Sequence, residues 1–279
     1  MKHYITDVEA HNNAKYFQDK IIPAIKDHGR YVVSKTLSIT PQEKRQGVID
    51  DNKVIYTLNS YGHRCDEFIK DHGNKTHVVF FGCSETFGHS CEVGTTWAEY
   101  LYEQIPNTSG FFRIGNPSAG HRTILHQVNA YINEFGYPDE IYMLFPIIER
   151  LPKYSKNTNF YELMVDQAHW EEGKRARIWT QEEYLDEILN FKQHMVFLEK
   201  LCAEKKIKLY WSFINQAEQV YMPRFTGLKN FVKFENVAEF LFKNGYNSNE
   251  ELHRRDGKHA GFAFHKFWAQ CFLERRNND

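Results

Sequence analysis

From residue 76 onward, short apolar runs alternate with segments of helical periodicity, and this alternation constrains the fold more than any other feature. The runs THVVFFG (76–82) and EIYMLFP (140–146) are too short for buried helices and are predicted to be strands. The segment TTWAEYLYEQI (95–105) places apolar residues four apart, as on one face of a helix. Short apolar strands that alternate with helices are typical of a parallel sheet covered on both faces. The sequence therefore predicts an α/β protein, a three-layer α/β/α sandwich with a central parallel sheet. Further strands are predicted at 111–114 and 207–214, and further helices at 121–135, 180–205 and from about 261.

The chain divides into a lead-in and a larger domain. Residues 1–75 are expected to form an irregular, partly helical lead-in packed on the core, and residues 76–279 carry the strand–helix pattern. The stretch 147–180 has no strong period and is predicted to be an insertion over the sheet edge, as a lid or a substrate wall. It contains rings that either stack on a sugar or form the insertion's own small core: Tyr154, Phe160, Tyr161, Trp170 and Trp179.

Composition excludes several classes of protein. The 35 Lys and Arg nearly balance the 36 Asp and Glu, without the basic cluster that a nucleic-acid binder carries. No apolar run approaches the roughly 18 residues of a membrane span, and no secretory signal is visible. Five cysteines without a C-x-x-C pair fit reduced thiols, so a cytoplasmic protein is expected. Dinucleotide and Walker-type glycine loops are also missing from the sequence.

The motif GCSETFG (82–88) directly follows the first strong strand. A serine at a strand-to-helix turn projects its hydroxyl into the crevice at the sheet edge, and nearby amide groups can stabilise an oxyanion. Ser84 is therefore a candidate nucleophile. The alternative is structural, because serine is also a favoured N-cap residue.

The motif DGKHAG (256–261) stands just before the last predicted helix. A carboxylate at Asp256 can reach the imidazole of His259 across one turn and fix its tautomer, so that the imidazole acts as a general base. The alternative is a polar loop in which Asp256 caps the helix. A metal site built on His253, His259 and His265 is disfavoured, because their spacing does not place two ligands on one helical face.

Two further turns precede predicted core elements. The turn GNPSAG (115–120) closes the second strand and can offer the Gly120 amide and the Asn116 side chain to the crevice, or it is simply a loop. The turn NSYGHR (59–64) is interpreted as a structural anchor of the N-terminal segment.

Taken together, these four motifs resemble the blocks of the SGNH (GDSL-like) hydrolase superfamily, in bacterial and phage-type members. Their order and spacing agree over residues 59–270, about three quarters of the chain. The resemblance implies the flavodoxin-like SGNH sandwich, with Ser84 as nucleophile, His259 as general base and Asp256 as its orienting carboxylate. It also implies that the Ser84 and Gly120 amides form part of the oxyanion hole. Ester hydrolysis through an acyl-enzyme would need no metal or organic cofactor.

The chain departs from the family pattern at two places. Cys83 replaces the aspartate that usually precedes the serine, and a cysteine nucleophile there is a further alternative. After the third strand, LFPIIER (144–150) lacks the Asn whose side chain normally donates to the oxyanion. Loss of one such donor costs roughly 100- to 1000-fold in rate. Asn116 and Arg150 are the candidate substitutes.

Three functions remain compatible with the sequence. The first is a serine esterase that removes an O-acyl group, acetyl being the first choice, from a carbohydrate or another small molecule. The second is an acyltransferase with the same triad. The third is a non-catalytic binding or structural protein on a decayed SGNH fold, favoured by the two departures and opposed by the intact ends of the triad.

Overall fold

The computed structural model describes residues 21, 35–36, 55–89, 91–117, 119–148, 150, 153–154, 161–162, 180–214, 227–253 and 259–279. The strands are β1 (Lys35–Thr36), β2 (Ile55–Tyr56), β3 (Val78–Gly82), β4 (Phe112–Gly115), β5 (Glu140–Phe145), β6 (Lys153–Tyr154), β7 (Tyr161–Glu162) and β8 (Lys208–Phe213). The helices are α1 (Ser84–Phe87), α2 (Trp97–Tyr102), α3 (His121–Phe135), α4 (Gln181–Lys205), α5 (Val237–Lys243), α6 (Asn249–Leu252) and α7 (Phe262–Asn277).

The central sheet has four strands in the order β4-β3-β5-β8, and every neighbouring pair is parallel. Each of these strands lies within one or two residues of a predicted strand, and the helices at 121–135 and 181–205 begin and end where the periodicity indicated. Two antiparallel pairs, β1–β2 and β6–β7, stand apart from this sheet.

Side chains of the strands alternate between two cores, one on each face of the sheet. Val79 and Phe81 of β3 point to a core shared with α3 and α4. Val78 and Phe80 point to a core shared with α2 and α7, where Trp97 packs on Phe272 with ring centroids 5.2 Å apart. Because both faces of β3 are covered, all five of its residues are buried. The predicted three-layer α/β/α sandwich is confirmed.

The strand order places the end of β3 at a topological switch point. The chain passes from β3 to β4 on one side of the sheet, and then returns to β5 on the other side of β3. In doubly wound sheets, a crevice opens at the carboxyl ends of two adjacent strands whose following connections run in opposite directions, as those after β3 and β5 do here. The first predicted catalytic motif begins at Gly82, the last residue of β3.

The end of the lead-in packs beneath this crevice. In the turn at 59–64, the Asn59 side chain accepts hydrogen bonds from the amides of Tyr61 (3.1 Å) and His63 (2.9 Å). Arg64 then donates to the carbonyl of Gly88, 2.7 Å away, at the end of α1. The structural interpretation of this turn agrees with these contacts, whereas most of residues 1–54 and 147–180, with the proposed insertion, lie outside the described residues.

No described helix combines the length and the apolarity that a bilayer crossing requires.

Candidate active site

Ser84 is the first residue of α1 and directly follows the turn that ends β3. Cys83 occupies the N-cap position, and its side chain makes no capping hydrogen bond. The alternative interpretation of Ser84 as the N-cap is therefore wrong. Its hydroxyl is available for another partner, although the residue is only 5% exposed.

Close packing of α1 against the sheet depends on glycine. A Cβ atom on Gly115 of β4 would lie 2.2 Å from the amide nitrogen of Phe87, far inside van der Waals contact. A Cβ atom on Gly82 would lie 1.9 Å from the hydroxyl oxygen of Thr86. These two register partners on neighbouring strands thus allow the helix that begins with Ser84 to lie directly on the strand ends.

His259 reaches Ser84 from the other end of the chain. Its Nε2 atom lies 2.9 Å from the Oγ atom of Ser84, across 175 residues of sequence. The segment around it is pinned on the opposite side, where the amide of Gly261 donates to the carbonyl of Leu252 at 2.8 Å. A serine hydroxyl at this distance from an imidazole nitrogen can be deprotonated by it. The structure therefore brings together two of the predicted site residues, while Asp256 lies outside the described residues.

Gly120 and Asn116 lie on the neighbouring loop between β4 and α3. Gly120 is the N-cap of the 15-residue helix α3, where the first-turn amides have no partner within the helix. The Asn116 side chain is buried, and its Oδ1 atom accepts from Nε2 of Gln127 at 2.7 Å. Because Gly82 and Gly115 are register partners, Asn116 begins this loop beside the turn that carries Ser84.

Arg150 packs against the same loop. A Cβ atom on Gly120 would lie 1.8 Å from the carbonyl oxygen of Arg150, so only glycine fits there. The Nε and Nη1 atoms of Arg150 are buried, and their N–H groups donate to no acceptor within the part of the chain that the structure describes. A buried N–H without an acceptor is costly, and such a group is a candidate donor to a bound oxyanion.

Cys83 is buried, with 1% of its surface exposed. Burial raises the pKa of its thiol, although the nearby charge of Arg150 acts in the opposite direction. A thiol held in the protonated form is a poor nucleophile. The geometry thus favours Ser84 over Cys83.

Two charged or titratable neighbours of the pair were not identified from the sequence. Glu85 follows Ser84 on α1 and accepts a hydrogen bond from the amide of Ala260 at 3.1 Å. His89 lies just beyond α1, and its ring centroid is 4.9 Å from that of His259. The adjacency of Glu85 to the serine was visible in the sequence, but its partner was not.

An ionic cluster fixes the amino end of α3. Glu187 of α4 lies 2.9 Å from Nε2 of His121 and is paired with Arg122. Burial alone would raise the pKa of Glu187, but the hydrogen bonds and charges of His121 and Arg122 lower it to about 2. The cluster holds the long helix α4 against the residue that follows Gly120.

Within the described residues, no group of three or more His, Cys, Asp or Glu side chains is arranged to hold a metal ion. His265 in particular is engaged by two protein partners, the amide of Trp97 and the carboxylate of Glu85.

No protein-family model and no curated protein matches the sequence. Among solved structures, the chain is similar to a protein assigned to the G-D-S-L family of lipolytic proteins from Desulfitobacterium hafniense, with 13% identity, a TM-score of 0.40, and coverage of 72% of this chain and 99% of that one. It is also similar to a protein described as a GDSL-like lipase from Parabacteroides merdae, with 12% identity, a TM-score of 0.38, and coverage of 74% and 97%. A third is a carbohydrate esterase whose active site is described as having divergent catalytic and non-catalytic binding functions, with 10% identity, a TM-score of 0.39, and coverage of 74% and 66%.

The descriptions of these proteins fall within the superfamily that the sequence motifs resemble. At TM-scores below 0.5 the likenesses carry no argument of their own. The assignment of the fold rests on the sheet topology, and the hypothesis about activity rests on the pair formed by Ser84 and His259.

Proposed function

We propose that the protein is a serine esterase that hydrolyses an O-acyl ester of a carbohydrate or another small molecule. The observation that carries this proposal is the 2.9 Å approach of His259 Nε2 to Ser84 Oγ at the carboxyl end of β3. That position is where doubly wound sheets bind their ligands.

In the proposed reaction, His259 takes the proton of Ser84 as Oγ attacks the ester carbonyl. The tetrahedral intermediate then expels the alcohol, which receives the proton from His259, and an acyl-enzyme on Ser84 remains. Water attacks the acyl-enzyme by the same route and releases the carboxylic acid. Asp256, three residues before His259, is proposed to orient the imidazole.

The oxyanion would be bound by the backbone amides of Ser84 and Gly120. The amino end of α3 supports this role, because Gly120 is its N-cap and the first-turn amides have no acceptor within the helix. We propose that Arg150 or Asn116 replaces the missing Asn donor. Of these, Arg150 is favoured, because two of its buried nitrogen atoms have no partner among the described residues.

A small acyl group, with acetyl as the first candidate, is proposed for the substrate. Ser84 is 5% exposed and the adjacent Cys83 is buried, which favours a small acyl group at the nucleophile.

The test is hydrolysis of p-nitrophenyl acetate by the wild type and by Ser84→Ala, with Cys83→Ala as the matched control at the neighbouring position. We expect turnover to disappear in Ser84→Ala and to persist in Cys83→Ala. Equal turnover in the wild type and Ser84→Ala would refute the proposal. Turnover lost only in Cys83→Ala would point to a thiol nucleophile.

The same assay tests whether Arg150 or Asn116 donates to the oxyanion. Arg150→Ala is expected to reduce turnover by roughly 100-fold or more if its guanidinium is the substitute donor. Asn116→Ala provides the comparison, and unchanged turnover in either variant removes that residue from the hole. Addition of an acceptor alcohol then separates hydrolysis from acyl transfer. A transferase passes the acetyl group to the alcohol, so a new ester forms and less free acetate is released.

A further inference from the structure

The Glu85 carboxylate lies between three elements that surround the candidate nucleophile. It is on α1, directly after Ser84, and is 8% exposed. Its Oε1 atom accepts the amide hydrogen of Ala260 at 3.1 Å, and its Oε2 atom lies 3.2 Å from Nε2 of His265 in the first turn of α7. One side chain thus joins the serine turn both to the residue after His259 and to the helix that follows.

The hydrogen-bond roles at His265 are fixed by a third partner. The amide of Trp97, the first residue of α2, donates to Nδ1 of His265 at 3.0 Å. Nδ1 must therefore carry a lone pair, so the ring proton of the neutral imidazole is on Nε2 and is donated to Glu85. Both carboxylate oxygens of Glu85 thus accept from donors that cannot reverse their roles.

These contacts keep Glu85 ionised although it is buried. Burial acts to raise its pKa, but the hydrogen bond from His265, the charge that His259 carries when it is protonated and the amide of Ala260 outweigh burial, so the pKa of Glu85 is lowered. The same electrostatic coupling acts in both directions, because an anion that is stabilised by a protonated imidazole stabilises that imidazole equally.

We propose that Glu85 is a positioning residue that sets His259 against Ser84 and stabilises the imidazolium formed when Ser84 is deprotonated. This inference rests on the proposed function. The hydrogen bond to the Ala260 amide fixes the backbone next to His259. The negative charge of Glu85 stabilises the protonated form of the His259 imidazole. In this role Glu85 acts through His259.

Two variants separate position from charge. Glu85→Gln removes the charge. Its amide oxygen can accept from only one of the two donors, Ala260 N–H and His265 Nε2–H, because its amide nitrogen then faces the other. Glu85→Asp keeps the charge but is one methylene shorter, so it no longer reaches both partners. Glu99→Gln is the matched control, since Glu99 is a mostly buried carboxylate that serves the Thr96 cap and lies 3.7 Å from Arg113.

For Glu85→Gln we expect kcat for p-nitrophenyl acetate to fall by about 100-fold, because a small misplacement of the base is costly. KM is expected to change little, and the acidic limb of the pH–rate profile to move to lower pH by about one unit. For Glu85→Asp we expect a lower kcat with the limb in its wild-type position. For Glu99→Gln we expect a loss of thermal stability without movement of the limb.

Among the described residues, the groups that face His259 are Ser84 and Glu85 from α1 and His89 from the loop after it. The His259 imidazole is therefore also titrated by NMR without substrate, its signal being identified by its absence in His259→Gln. A lower titration midpoint in Glu85→Gln supports the proposal even if the wild type hydrolyses no ester. The proposal is overturned if Glu85→Gln has the same His259 titration midpoint and the same acidic limb as the wild type. If Glu85→Gln loses only stability, as expected for Glu99→Gln, Glu85 has a merely structural role.

Discussion

The His77 imidazole lies just before β3, at the end of the sheet opposite the candidate active site. It is 3% exposed, its Nε2 atom is 2.8 Å from the hydroxyl of Tyr131, and its ring stacks on that of His72 with centroids 3.5 Å apart. Burial, with the neighbouring His72 as a second cause, lowers the pKa of His77 to about 3. The stacked arrangement of His77 and His72 therefore favours the neutral form of the His77 ring.

The consequence is a loss of stability on mild acidification. The pKa of His77 is depressed in the folded state, so its contribution to stability is complete above the unfolded value of about 6.5 and is lost progressively as the pH falls towards 3. Between pH 7 and pH 5, only the unfolded chain takes up this proton, which costs the folded state about 2 kcal/mol. The size of this free-energy loss is set by the pKa of His77 in the unfolded chain. It barely changes so long as the pKa of His77 in the folded state lies below about 4.

The perturbation is His77→Asn, which keeps a polar side chain but does not titrate in this range. Urea denaturation of the wild type and the variant at pH 7 and pH 5 gives the free energy of unfolding at each pH, provided that the m-value is unchanged. We expect the variant to be less stable than the wild type at pH 7. We also expect it to lose about 2 kcal/mol less than the wild type on going to pH 5.

His77→Gln, which also does not titrate in this range, is the matched second variant and is expected to show the same smaller loss of stability. Equal losses of unfolding free energy in the wild type and His77→Asn between the two pH values would refute this prediction. Such a result would mean that His77 is protonated in the folded state at pH 5.

Two further changes probe the packing around the site. Gly115→Ala places a methyl group 2.2 Å from the amide nitrogen of Phe87, so α1 must shift. Turnover of p-nitrophenyl acetate should then fall by roughly 100-fold. Gly73→Ala is the control, because it strains a distant turn at φ +54° with open space around it and should leave turnover unchanged. Glu187→Gln should lower the free energy of unfolding by about 1–2 kcal/mol at pH 7, less than for a fully buried pair because Arg122 is 42% exposed to screening water. Since the pKa of Glu187 is lowered to about 2, this difference should be present above about pH 4.5 and shrink as the pH falls towards 2, as denaturation at several pH values would reveal.

The order of strands and helices followed from the sequence because the signal for each element is local. The short apolar run at 76–82 is typical of a strand covered on both faces, and the four-residue spacing of apolar residues in 95–105 is typical of a helix with one buried face. Once β3 and the terminal helix were located, the serine and the histidine fell at the ends of core elements, where catalytic groups are expected.

The sequence left open whether Ser84 caps a helix or presents its hydroxyl to another group. The choice was made by the backbone, which places Cys83 at the N-cap and Ser84 inside the first turn. It was completed by the packing of α7 on the sheet, which brings His259 to 2.9 Å from the hydroxyl.

The chemistry of Glu85 was decided by tertiary structure alone. In the sequence it is one of 36 acidic residues, and nothing within one helical turn distinguishes it from a solvated side chain. Its partners Ala260 and His265 lie 175 and 180 residues away, and His265 is itself oriented by Trp97 of another helix. The apolar period of a segment determines which element it forms, because burial of one face is a local property of the chain. The partner of a buried charge depends on how distant elements pack together, and that arrangement is fixed only when the two cores close on the sheet.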